Sequence, residues 1–273
     1  IQIEPISSNI ISTTPEININ SLNIGEIINE SFQIELNEST NTGEDVIFKY
    51  ILDNGSFAEE IIVKKIFGAP ILLFEDESDN YSDYWTIDSS WSETFEEYNS
   101  PQTSITDSPY SNYSNNALET INLLNDINLS GYSYAEINFN AKWNIESGYD
   151  YVQIEVSNDG GASWEPQCGK YTRKGIETQE DALDEPLYDG NQGEWVNESI
   201  LLTDYIDQEI SIRFKLKSDG GLRRDGFYYD DFKIRALSSS LSGSENTLNK
   251  AKIYPIPSCL LYTSDAADEV RRV

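Results

Sequence analysis

The strongest constraint on the fold of this chain is a period of two in its apolar residues, which is clearest in the segment 148–164, GYDYVQIEVSNDGGASW. The aliphatic residues that alternate with polar ones in this segment are Val152, Ile154 and Val156. Such alternation predicts a half-buried strand, with one face in a core and the other in water. Asp159-Gly160 then predicts a tight hairpin turn, because this pair accepts positive φ angles.

The same period recurs along the middle of the chain. Tyr134–Trp143 and Ile210–Leu216 both alternate apolar and polar residues, whereas no long stretch has the 3.6-residue period of a helix. Many antiparallel strands in a unit of this size predict a jelly roll. We therefore expect an all-β chain whose larger part, residues 69–237, is a jelly-roll β-sandwich.

A smaller β domain is predicted for residues 1–68. Val46–Leu52 and Glu60–Ile66 are two apolar runs joined by a turn that contains Asn54-Gly55. An immunoglobulin-like β-sandwich, incomplete at its N-terminus, fits this segment best. Gly68–Pro70 marks its end, since proline restricts the residue before it and favours a boundary.

The C-terminal residues do not read as a domain. Residues 238–251, SSSLSGSENTLNKA, are polar and rich in serine, which predicts a flexible linker. A short motif, KIYPIPS, follows at residues 252–258. Residues 259–273 begin with CLLYTSDAADE, which resembles the translation of an adapter used in sequencing libraries, and we expect this stretch to be an artefact.

Charge and the lack of histidine exclude several functions. The chain has 48 acidic and 18 basic residues and a formal net charge of -30. Nucleic acids and anionic membranes are bound through lysine and arginine, so such a surface repels them. No histidine occurs, which excludes Ser-His-Asp catalysis and the commonest zinc ligand. We therefore expect no catalysis by this chain. No apolar run in the sequence approaches the length of a transmembrane segment.

Acidic residues near both ends of the predicted jelly roll indicate a cation site. The candidate ligands are Glu75, Asp76, Asp107, Asp230 and Asp231. Calcium takes about six to eight oxygen ligands, and a jelly roll can collect them where its first and last strands meet. Alternation along the last strand places Asp230 on the core face with Phe232, where a carboxylate needs a partner. The alternative is that Asp230 accepts hydrogen bonds from backbone amides while the other four residues are solvated.

Aromatic residues offer a second type of site, a carbohydrate platform. The candidates are Trp85, Trp91, Tyr110, Tyr113 and Trp195. Sugars stack on exposed rings, but the cores of β-sandwiches are built from the same residue types, so core packing is the favoured alternative. Acidic pairs such as Glu96-Glu97 and Asp184-Glu185 could act as the acid and base of a glycosidase, yet such pairs arise by chance in so acidic a chain.

Motifs across residues 70–237 resemble known families. Phe74-Glu75-Asp76, Trp85, Trp91 and Tyr229–Phe232 together resemble the pattern of MAM-like jelly rolls. More specific motifs are WEPQCGKYT at 164–172, EPLYDG at 185–190, WVNE at 195–198 and RFKLKSDGGLRRDGFYYDDFKI at 213–234. These resemble the accessory domain of secreted bacterial zinc carboxypeptidases of the carboxypeptidase T type. In that family an immunoglobulin-like domain precedes the jelly roll.

The same resemblance bears on secretion and on zinc. The motif at 252–258 is similar to the opening of a type IX secretion sorting domain, whose usual core is Tyr-Pro-Asn-Pro, with Ile256 in place of the asparagine. Carboxypeptidases hold zinc through two histidines and a glutamate, and this chain has no histidine. The resemblance therefore implies that zinc and the catalytic domain belong upstream of Ile1.

The resemblance, together with the lack of histidine, implies a non-catalytic, C-terminal accessory region of a secreted zinc metallocarboxypeptidase. Its expected roles are binding, stabilisation and secretion or anchoring at the cell surface. The expected cofactor is calcium, and the expected partners are a cell-surface glycan or protein and the type IX secretion machinery. The alternative is a carbohydrate- or protein-binding adhesin module of another secreted protein.

Overall fold

The structure, a computed structural model, describes residues 1–19, 21, 30–86 and 90–238 and the backbone of residues 252–255. Strands make up nearly all of the regular structure in these residues, and the helical elements are three single 3-10 turns. These turns are Tyr81–Asp83, Glu180–Ala182 and Thr203–Tyr205. None of the helices in the described part of the chain is long and apolar enough to cross a membrane. The predicted all-β fold class is confirmed.

The chain forms two compact units, of which the first contains residues 1–70. Its strands before residue 70 are β1 (Gln2–Pro5), β2 (Ile10–Thr13), β3 (Ile34–Leu36), β4 (Asp45–Asp53) and β5 (Ala58–Gly68). Strands β1, β4 and β5 lie side by side in one antiparallel sheet, and β2 pairs with β3. The predicted β4–β5 hairpin is confirmed, with Val46 opposite Lys65 and Asp53 opposite Ala58. The immunoglobulin-like assignment stays a prediction.

The second unit contains residues 71–236 and two main sheets. Its strands are β6 (Ile71–Asp76), β7 (Ser92–Thr94), β8 (Ser104–Thr106), β9 (Leu118–Asn122), β10 (Ile127–Asn128), β11 (Tyr132–Ile145), β12 (Tyr151–Ser157), β13 (Glu165–Pro166), β14 (Arg173–Lys174), β15 (Pro186–Leu187), β16 (Gly190–Leu201), β17 (Glu209–Lys217) and β18 (Gly226–Ser238). One sheet has the order β10-β17-β12-β13, with β9 also on β17. The other has the order β16-β11-β18-β8-β7, with β6 also on β18. The predicted β-sandwich is confirmed.

Aromatic rings fill the space between the two sheets. Phe214 of β17 stacks on Tyr229 of β18, with ring centroids 4.3 Å apart and planes 9° from parallel. Trp85 packs edge-on against Phe232, with centroids 5.2 Å apart, and all four residues are fully buried. Offset and edge-to-face contacts of this kind add about 0.5–1.5 kcal/mol per pair to the gain from burial.

Strand β12 is buried on both faces, which differs from the half-buried strand that its alternation predicts. Val152, Ile154 and Val156 face the core as expected. On the other face, Glu155 accepts hydrogen bonds from Arg213, at 2.5 Å, and from Lys215. The amide nitrogen of Gln153 donates to the carbonyl oxygen of Pro186, at 3.1 Å. Glu155 and Gln153 can therefore be covered here because each has a charged or hydrogen-bonding partner.

A last strand, β19 (Lys252–Pro255), pairs with β5 in the sheet of the first unit. Lys252 lies opposite Gly68, and Pro255 lies opposite Lys65. The sequence predicts a signal separated from the folded domains by a linker, but the backbone of its first four residues extends the sheet of the first unit. The rest of the predicted linker and signal, and the adapter-like residues 259–273, lie outside the described residues.

Candidate functional site

The middle of β18 contains a β-bulge. Tyr229 and Phe232 are both buried in the core although they are three residues apart, and the φ angle of Asp231 is +55°. In a regular strand, residues three apart face opposite sides. One extra residue must therefore be inserted between Tyr229 and Phe232. The alternation that placed Asp230 on the face of Phe232 is therefore interrupted, and that part of the prediction is wrong.

Asp230 is fully buried, and backbone amides satisfy its carboxylate. Its Oδ2 accepts hydrogen bonds from the N–H groups of Asn99, at 2.8 Å, and Ser100, at 2.9 Å. Its Oδ1 accepts one from the N–H of Asp231, at 2.7 Å. Burial raises the pKa of Asp230, and these amide hydrogen bonds oppose the increase. This arrangement is the amide-binding alternative to a cation site.

The other predicted ligands also have protein partners. Asp76 accepts hydrogen bonds from the indole N–H of Trp85, at 2.7 Å, and from the amide of Ser78, at 2.8 Å. Burial raises the pKa of Asp76. Glu75 is partly exposed and forms a salt bridge of 2.8 Å with Lys233, its neighbour across β6 and β18. Glu75 therefore links β6 to β18, whereas the carboxylate of Asp76 is satisfied by Ser78 and Trp85.

Asp107 lies at the other end of the β18 pairing. The amide of Phe227 donates a hydrogen bond of 3.0 Å to its Oδ2, whereas Asp76 is opposite Phe232. Five positions that include one bulge correspond to about 13 Å, since a strand rises about 3.3 Å per residue and the bulge removes about one rise. One ion cannot bind both side chains, because calcium–oxygen distances are about 2.3–2.6 Å. Asp107 is therefore separated from Asp76, and the predicted calcium site stays a prediction.

Another acidic group comes together where three strands end. Among the described residues, the carboxylate oxygens of Glu146, Asp150 and Asp219 form the group of three that lies within 4.8 Å. Asp150 is buried, and its Oδ1 accepts a hydrogen bond of 2.7 Å from the backbone amide of Asp219. Its Oδ2 accepts a hydrogen bond, also of 2.7 Å, from the hydroxyl of Tyr113. These bonds hold the connection between β11 and β12 against the end of β17. The sequence signal for Glu146 and Asp150 is the turn ESGYD, but nothing in the sequence points to Asp219.

The candidate carbohydrate platform is divided by the structure. Trp85, Trp91 and Tyr113 are buried, so their role is core packing. Tyr110 is 63% exposed and Trp195 is half-buried. The five aromatic residues therefore do not form one surface.

A row of polar side chains crosses the outer face of the six-stranded sheet. Asn197 of β16 donates a hydrogen bond to Asn140 of β11, with 3.3 Å between Nδ2 and Oδ1. Asn140 donates to Oδ2 of Asp231, at 2.8 Å. The same oxygen accepts from Nδ2 of Asn99, at 3.0 Å. We call Asn99, Asn140, Asn197 and Asp231 the amide row. Sequence reasoning missed it because its members are far apart in the chain.

Comparison with known families gives the assignment of the second unit. The family model for the immune inhibitor A-like MAM domain matches residues 100–242, which is just over half of the chain. The chain belongs to this family. The MAM-like character that the motifs predict is confirmed, whereas the carboxypeptidase T type and the type IX sorting motif stay predictions.

Curated relatives match a similar part of the chain. Bacillopeptidase F of Bacillus subtilis (strain 168) is 28% identical over 116 residues, which is 42% of this chain and 7% of that protein. The pre-pro-metalloprotease PrtV of Vibrio cholerae serotype O1 is 24% identical over 147 residues, which is 52% of this chain and 14% of that protein. The chain therefore spans only a small part of the length of these relatives.

Two solved structures show weaker similarity. One is the CBM22-1 xylan-binding domain from Paenibacillus barcinonensis Xyn10C, with a TM-score of 0.40 and 14% identity over 63% of this chain and 99% of that chain. The other is the K2 cleaved adhesin domain of Lys-gingipain, with a TM-score of 0.39 and 13% identity over 62% of this chain and 99% of that chain.

Proposed function

We propose that this chain is a non-catalytic accessory region of a secreted metallopeptidase. The observation that carries the proposal is the match to the immune inhibitor A-like MAM domain in a chain without histidine. One of the curated relatives, PrtV, is a metalloprotease by name, and the other is a peptidase by name. A chain without histidine lacks the usual base and the usual zinc ligand of peptidases, so its contribution is binding or stabilisation.

Hydrogen bonds between a buried carboxylate and backbone amides support the same proposal. Glu198 is fully buried, and its carboxylate accepts hydrogen bonds from the amides of Lys170, at 2.6 Å, and Tyr171, at 3.0 Å. Burial raises its pKa, which is often a mark of a catalytic acid. However, the backbone of Gly169 lies directly against this carboxylate, since a Cβ added to Gly169 would lie only 2.8 Å from the Glu198 carboxyl carbon. A group enclosed in this way supports a loop and cannot reach a substrate.

A finer form of the proposal keeps the features that the resemblance implies. We propose that the parent is a zinc carboxypeptidase with its catalytic domain upstream of Ile1. The motif at 252–258 is proposed to direct the parent to the type IX secretion machinery, and the parent is proposed to be secreted or held at the cell surface. The resemblance of KIYPIPS to the sorting core supports this role.

Peptide hydrolysis tests the proposal directly. The purified 273-residue chain is incubated with blocked and free peptides, with and without zinc, and new amino termini are measured. We expect no turnover above buffer in either condition. Turnover by the pure chain that is lost in Glu198→Gln, while the variant keeps the melting temperature of the wild type, would contradict the proposal.

A further inference from the structure

We propose that the amide row on the outer face of the six-stranded sheet binds a neutral oligosaccharide. This inference rests on the proposed function, because an accessory region without catalysis acts by binding. It names the surface, Asn99, Asn140, Asn197 and Asp231, and the chemical class of the ligand.

The amide row is held in place before any ligand arrives. The bulge at Asp231 has a φ angle of +55°, and bulges of this kind redirect a side chain relative to its neighbours. The redirected carboxylate accepts hydrogen bonds from the side-chain amides of both Asn140 and Asn99. Next to it, Asp230 fixes the backbone of Asn99 and Ser100 through two amide hydrogen bonds. A binding surface fixed in this way loses little conformational entropy when a ligand binds.

The row has hydrogen-bonding capacity left for hydroxyl groups. Each asparagine has two N–H donors and an oxygen with two lone pairs. Asn140 and Asn197 each use one donor within the row, and Asn99 and Asn197 are exposed. Alternating donors and acceptors at fixed positions match the vicinal hydroxyls of a sugar, which donate and accept in turn.

The length of the row and the rings near it fit an extended sugar chain. Asn197, Asn140 and Asp231 lie on three adjacent strands, so the row extends about 10 Å across the sheet. Tyr98, adjacent in sequence to Asn99, is 45% exposed. Trp195 precedes Asn197 by two residues on β16 and is half-buried. An exposed ring such as that of Tyr98 next to hydrogen-bonding groups suits the two faces of a pyranose, one apolar and one polar.

Charge selects a neutral ligand. Asp231 receives two amide donors, and the nearby cation Lys142 of β11 forms a salt bridge of 3.0 Å with Glu97. In the part of the chain that the structure describes, Lys142 is thus already paired with a carboxylate and is not free to pair with an acidic sugar. A formal net charge of -30 also repels anionic ligands over long distances. A neutral oligosaccharide avoids this repulsion and requires no counter-ion.

Calorimetric titration of the full 273-residue chain tests this inference. The probes are cellohexaose, xylohexaose and mannohexaose, with hexagalacturonate as the anionic comparison. We expect saturable binding of at least one neutral hexasaccharide and weaker or no binding of hexagalacturonate. Asn140→Ala and Asn197→Ala should each weaken the affinity at least about tenfold, which corresponds to about 1.4 kcal/mol.

Asn158→Ala is the matched control. Asn158 is exposed and forms an amide–amide hydrogen bond of 2.6 Å with Gln208, as Asn197 does with Asn140, but it follows β12 in the other sheet. It should bind like the wild type. The inference is overturned if the wild type binds none of the neutral probes, if hexagalacturonate binds most tightly, or if Asn140→Ala and Asn197→Ala bind like the control. None of these results would show peptide hydrolysis by the chain, which is the result that contradicts the accessory role. The failure of this inference can therefore be distinguished from the failure of the proposed function.

Discussion

Replacing Asp107 by asparagine is expected to make the stability of the second unit less dependent on pH. Asp107 is buried, and burial raises its pKa to about 7. The hydroxyl of Ser108 lies 2.6 Å from Oδ1 of Asp107 and 2.5 Å from the carbonyl oxygen of Asp225. A hydroxyl has one proton and cannot donate to both. A protonated Asp107 removes the conflict, because it donates to Ser108, which then donates to Asp225.

The sign of the effect follows from the direction of the pKa change. An aspartate in the unfolded chain has a pKa of about 3.9, so the folded state holds the proton up to a higher pH. The stability from this proton is complete below about pH 4 and is lost as the pH rises through about 7. The total is about 4 kcal/mol at about 1.36 kcal/mol per pH unit, of which about 3 kcal/mol falls between pH 5 and pH 8. Asparagine imitates the protonated acid at every pH.

Urea unfolding at pH 5 and pH 8 measures this difference. All five tryptophans lie between residues 85 and 195, so their fluorescence reports on the second unit alone. Relative to the wild type, Asp107→Asn should gain about 3 kcal/mol between pH 5 and pH 8. Asp126→Asn is the control, because exposed Asp126 also accepts a serine hydroxyl, from Ser211 at 2.5 Å. A relative stability of Asp107→Asn that is equal at the two pH values would refute the reasoning.

Three further predictions concern a glycine, the last strand and calcium. Gly226→Ala should cost more than about 3 kcal/mol in urea unfolding, because φ is +101° and an added Cβ would lie 2.0 Å from Asp107, whereas Gly160→Ala, in open space with φ of +72°, should cost about 1 kcal/mol. Truncation after Ser238 should accelerate amide hydrogen exchange in Lys65–Gly68, and unchanged exchange would show that β19 contributes nothing to the edge of β5. If the predicted calcium site exists, calcium at one hundred times the Kd should stabilise the wild type by about 2.7 kcal/mol, which thermal melting measures. Asp230→Asn should lose this gain, and equal gains for the two proteins would contradict the site.

Much of the fold could be predicted because strand formation is local. The alternation in β12 and the Asn54-Gly55 turn both act over a few residues, so the strands and the β4–β5 hairpin were found in the sequence. The environment of the polar face of a strand was harder to predict. Whether the polar face of β12 meets water depends on Arg213 and on the segment around Pro186, which are remote in sequence.

The candidate sites were predicted less well because single residues and distant pairs decide them. One inserted residue at Asp231 reverses the face of every residue after it, and the period of two gives no warning of such a bulge. The amide row joins Asn99, Asn140 and Asn197, which only the strand order brings together. The sequence singles out the segment around Asp230 and Asp231, but nothing in it indicates the amide groups of Asn99 and Asn140 that donate to these two carboxylates.

The central claim is that this chain serves a metallopeptidase without catalysing the reaction. Sequencing the genomic DNA upstream of the codon for Ile1 tests it most directly. The account predicts an open reading frame, continuous with this chain, that encodes a His-x-x-Glu motif and a later histidine, the ligands of a catalytic zinc. An upstream frame that encodes a complete protein of another type, without a set of zinc ligands, would contradict the account.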